Sequence, residues 1–90
     1  MIKIQIKKVL ETDGEPRDKI PVNKYDIIMS IDNQAWQTVQ MDININEVRE
    51  HIRNLLKTIP FAVVEIENPE IWEKNMIGAY INFKAVNTTA

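Results

Sequence analysis

No cysteine occurs among the 90 residues, so neither disulfides nor thiolate zinc sites can hold this chain together. Two glycines are too few for the Gly-rich loops that cradle phosphates. One histidine leaves little scope for a His-based metal cluster. No apolar run approaches the roughly 20 residues of a membrane span. Residues 1–10 alternate isoleucine with lysine where a signal peptide would carry an unbroken apolar core. Eleven Lys and Arg stand against 13 Asp and Glu, a formal charge of −2, without the basic excess that marks nucleic-acid binders. These absences point to a cytoplasmic protein with no membrane contact. Nucleic-acid binding, through an Arg49, Arg53 and Lys57 ridge, ranks behind binding of another protein. No cofactor is expected.

What remains is ordinary globular composition, 44% hydrophobic and 27% charged. One domain over residues 1–86 is expected, followed by a polar tail at 87–90.

The best-marked element is a helix within residues 43–60. Asn44 and Glu47 form a capping-box pattern, with Ile43 and Val48 at the staple positions. Ile45, Val48, Ile52, Leu55, Leu56 and Ile59 recur at helical spacing as one apolar stripe. Pro60 cannot continue the ladder, so the helix ends near Thr58.

Around it, period-two alternation marks strands. Ile2, Ile4 and Ile6 face one way, and a bulge at Lys7 and Lys8 would return Val9 to the same side. Tyr25, Ile27, Met29 and Ile31 form the inward set of a second strand. A third follows from Trp36 to Asp42 after a tight turn around Asn33. A register that aligns Ile27, Met29 and Ile31 with Met41, Val39 and Gln37 keeps one face apolar. Ala62, Val64 and Ile66 point inward from a fourth strand. Asn68, Pro69 and Glu70 signal one short helical turn through Lys74. Ile77, Ala79, Ile81 and Phe83 alternate as a fifth strand. The expected fold is α+β, a two-layer sandwich: a mainly antiparallel five-stranded sheet, β-β-β-α-β-β, packed on one amphipathic helix.

Catalytic candidates are few. His51 follows Glu47 by one turn, but no nucleophile or metal set accompanies the pair, and an i,i+4 contact explains it. Glu65, Glu67, Glu70 and Glu73 lack calcium-loop spacing and read as a solvated edge. Arg49, Arg53 and Lys57 make a ridge suited to a helix C-terminus. No enzymatic activity is expected.

The aromatics carry the sharper signal. In the preferred register Trp36, Thr38 and Gln40 share the outer sheet face with Ile28, and Tyr80 lies on the outer side of the fifth strand. Trp and Tyr are enriched at interface hot spots, so these five residues form the candidate protein-binding surface. Cover by the 11–23 loop is the competing explanation.

Residues 9–66 run through a strand, a loop, "DIIMSID", a helix and "FAVVEIE". This rhythm resembles the later part of a PDZ domain. That family's Gly-rich carboxylate-binding loop has no counterpart here, so the resemblance assigns no site. The profile of small size, acidity and no catalytic constellation matches inhibitors, immunity-type proteins and virus-encoded antagonists. Another protein is the expected partner. A structural or accessory subunit that self-associates into a homo-oligomer is the alternative.

Overall fold

A computed structural model of the chain describes residues 1–11, 22–78 and 81–87. The element order is β1 (Ile2–Glu11), β2 (Val22–Ile31), β3 (Gln37–Ile43), α1 (Ile45–Thr58), β4 (Val63–Glu67), α2 (Ile71–Gly78) and β5 (Lys84–Val86). The strands lie in one mixed sheet in the order β3-β2-β1-β4-β5. β2 is antiparallel to both its neighbours, whereas β1–β4 and β4–β5 are parallel pairs. The fold is therefore a small α+β fold with two helices, not a mainly antiparallel sheet on one. Each parallel pair forces a crossover, which α1 and α2 supply.

Both helices contribute to one core. Val48 and Ile52 of α1 and Ile77 of α2 join Ile4, Ile6, Tyr25, Ile27, Ile43, Val64, Ile66 and Ile81 in a single buried cluster. The inward parity read from β1, β2 and β4 holds at these positions. The helical stripe also holds, although Ile45, Leu55, Leu56 and Ile59 are only partly buried.

The α1 boundaries follow from local chemistry. Asn44 Oδ1 accepts the Glu47 N–H at 2.9 Å, and the Glu47 carboxylate reaches back to the Asn44 N–H at 3.3 Å. The helix stops at Ile59, whose N–H donates to the Leu55 carbonyl at 2.8 Å, one residue before Pro60. Loss of a side-chain cap costs about 0.5–2 kcal/mol. Asn44→Ala should lower the urea unfolding free energy by that amount. A variant equal to wild type would show that the cap contributes nothing.

Several expectations change. β1 has no bulge: its register with β2 runs unbroken from Ile2↔Ile31 to Glu11↔Val22. Lys8 therefore keeps the inward parity and Val9 is exposed on the outer side. The β2–β3 turn is a two-residue turn with positive φ at Asp32 and Asn33, closed by the Gln34 N–H on the Ile31 carbonyl at 3.0 Å, the pattern of a type I′ turn.

The expected register appears only at the far end of this hairpin, where Tyr25 meets Ile43. Nearer the turn, Met29 faces Gln37, Ile28 faces Thr38 and Ile27 faces Gln40, with register shifts on both sides of Ile27. At one shift Asp42 takes a φ of 58° and its N–H turns to the Asp26 carboxylate at 2.9 Å. The extra β3 residues leave Met41 exposed while Ile43 returns to the core.

The short turn expected at 68–74 is instead a full helix, α2, starting at Ile71. Ile77 belongs to α2, residues 81–83 are not in a strand, and β5 begins at Lys84, while Ala79 lies outside the described residues. Ile77 and Ile81 are four apart, a spacing that fits a two-residue period and a 3.6-residue period equally. The Ile81 N–H donates to the Ile77 carbonyl at 3.1 Å, the i to i−4 bond of the longer period.

Candidate functional site

Two places stand out: a buried polar cluster under α2 and an exposed apolar rim at the opposite end of the sheet.

The cluster begins with parity. Lys8 extends the inward row of β1, opposite Tyr25 of β2, so both side chains point to the helical layer. The first turn of α2 brings Glu73 onto them. Glu73 is 1% exposed. Its Oε1 accepts from Lys8 Nζ at 2.7 Å and from the Glu70 N–H at 2.8 Å, and its Oε2 accepts from the Tyr25 hydroxyl. Burial works to raise the Glu73 pKa. The Glu70 N–H, Lys8 and Tyr25 outweigh it, holding the carboxyl below its ordinary value. Among the described residues no buried side-chain nitrogen or oxygen lacks a partner.

Glu73 thus leaves the solvated edge assigned to it, while Glu65 and Glu67 are half-buried and Glu70 is exposed. Glu73 bonds the backbone of Glu70, three residues earlier, as the reciprocal half of a capping box does. A lysine on an inward position, which needs a buried counter-charge, was the sequence signal for this pair.

The rim is set by where the strands end. Trp36 precedes β3, Ile31 ends β2, Met1 precedes β1 and Phe61 precedes β4. The pairings Ile2↔Ile31 and Lys3↔Val63 put these termini side by side. Trp36 and Ile31 are each 44% exposed, and Phe61 is 70% exposed. Trp36 and Ile31 flank the turn between neighbouring strands, while Phe61 leads into β4, two strands beyond β2.

Of the sequence-predicted residues, Ile28 and Thr38 pair directly. They sit in a cross-sheet row on the face away from the helices, Thr38–Ile28–Gln5–Glu65–Lys84. Gln40 does not join them, because it pairs with the inward Ile27. Tyr80 lies outside the described residues. The turn beside Trp36 is tied to this face, since Ser30 Oγ donates to the Gln34 carbonyl at 2.7 Å.

Cover of Trp36 by the 11–23 loop concerns residues that lie mostly outside the described set, at 12–21.

The edge of β3 itself is a poor template for strand addition. Two register shifts and the left-handed Asp42 are devices by which natural edges avoid pairing. Elsewhere, His51 of α1 is half-buried. Arg53, Leu56, Lys57 and Ile81 line a shallow groove of about 250 Å³. Among the described residues no group of three His, Cys, Asp or Glu is placed to hold a metal ion, and no helix is long and apolar enough to cross a membrane. No family model matches the chain, and neither a curated protein nor a solved structure matches it.

Proposed function

We propose that the protein is a small non-enzymatic binding domain that engages another protein through a surface centred on Trp36. The supporting observation is the exposure of Trp36, 44% open at the end of the sheet where β2 turns into β3. An exposed indole forgoes the burial that large aromatics contribute on folding, and a contact surface recovers it on binding. Thr38, Asp32 and Gln34 give this apolar centre a polar surround, the arrangement of a hot spot. Occupying a partner's surface is the work of an inhibitor or antagonist.

Trp36→Ala should unfold within about 0.5 kcal/mol of wild type, as surface substitutions do. It should weaken association by at least about 2 kcal/mol, roughly 30-fold in Kd. Partner capture with wild-type and variant baits reads the second effect. Sedimentation over a concentration series separates a second copy from a different protein as the occupant. Equal capture by both baits, with no change in sedimentation, would remove Trp36 from the surface.

A further inference from the structure

The cluster under α2 is organised around one carboxylate, and its three donors come from three elements. Lys8 Nζ of β1 supplies the counter-charge, the Tyr25 hydroxyl of β2 reaches one oxygen, and the Glu70 N–H reaches the other. Their place in the topology matters as much as their chemistry. From the end of β1 the chain returns to β2 on one side, and from the end of the adjacent parallel β4 it crosses to β5 on the other. Lys8 stands beyond the last β1–β4 pair, Ile6↔Ile66, and Glu73 from the first turn of α2 meets it there, 1% exposed.

We propose that the donor set of Lys8, the Tyr25 hydroxyl and the Glu70 N–H is a carboxylate-binding site that the chain keeps closed with its own Glu73. Charge-assisted donors on both oxygens are what a receptor for a free carboxylate would present. The chain's own carboxylate prevails because tethering gives it a high effective concentration. Entry of another carboxylate therefore means displacing Glu73 and the first turn of α2. This inference is independent of the Trp36 surface.

Acetate is the probe, since Glu73→Ala deletes a fragment of that size and charge. Thermal unfolding of Glu73→Ala is followed at pH 7 in sodium acetate and in sodium chloride at matched ionic strength. A ligand that binds only the folded state raises Tm with its concentration. The expected result is a higher Tm in acetate than in chloride, with the gap growing with acetate concentration. The gap is absent in wild type, where Glu73 occupies the site, and in Lys8→Met/Glu73→Ala, where the counter-charge is gone. A variant unfolded in chloride but recovered in acetate gives the same answer. Equal behaviour of Glu73→Ala in the two salts, folded or unfolded, overturns the proposal, as does an equal acetate gap in the Lys8→Met double variant.

Discussion

Lys8→Met should destabilise the protein by about 3–5 kcal/mol near neutral pH, the cost of leaving a buried charge without its partner. Methionine retains most of the side chain's apolar length, so the loss isolates the ammonium. Glu73 would keep the Glu70 N–H and the Tyr25 hydroxyl but no compensating charge. The pH dependence distinguishes this cause from poor packing. In wild type the Glu73 pKa is depressed in the fold, so its contribution is present above the unfolded-state carboxylate pKa. It is lost as pH falls through the lower folded value. Without Lys8 its hydrogen bond and charge no longer oppose burial, so the folded pKa moves up from its wild-type position. The variant's deficit should then shrink on acidification, while wild type loses this contribution. Urea unfolding at several pH values reads both curves, and a pH-independent deficit would refute the charge argument. In Lys8→Met/Glu73→Met much of the loss should return, because apolar replacement of a whole buried pair is often near neutral.

Ile52→Ala should cost about 2–5 kcal/mol as a large-to-small change in a filled core. Ile52 is fully buried in the shared cluster, whereas Leu55, one turn-spacing on, is only partly buried. The stripe in the sequence weights the two alike; packing does not. Leu55→Ala should therefore cost less than Ile52→Ala. Urea midpoints for both variants test the order. A near-neutral Ile52→Ala would mean that α1 does not seat on the sheet as described.

These two effects mark how far the sequence could be read. Period-two parity placed Ile4, Ile6, Tyr25, Ile27, Val64 and Ile66 correctly, because a one-residue slip would have reversed every side chain. The Asn44–Glu47 box and Pro60 located α1, because those signals are local. Strand direction is not local. The β1–β4 pair joins residues near Ile4 to residues near Val64, and an apolar alternation reads the same up or down. The α2 boundary failed because Ile77 and Ile81 satisfy both periods.

The candidate surface was legible in part. That Thr38 shares a face with Ile28 followed from alternation. The expected register set Ile28 opposite Gln40, but the shifts around Ile27 paired it with Thr38 and moved Gln40 to the other face. Ile31 was not connected to Trp36 until the strand order put the ends of β2 and β3 together. Lys8 was visible as a break in the alternation. A charged residue that keeps parity predicts a buried partner as readily as a bulge, and Glu73 is that partner.

The most direct measurement of the binding account is the emission of Trp36 in the isolated monomer. Trp72 contributes to the same signal and is itself exposed, with its Nε1 on the Glu70 carboxylate. Trp72→Phe removes it. In that background the account predicts red-shifted Trp36 emission, open to acrylamide at low protein concentration and protected when a partner is added. Blue-shifted, quencher-protected emission from the dilute monomer would contradict it, since an indole already covered has no surface to offer.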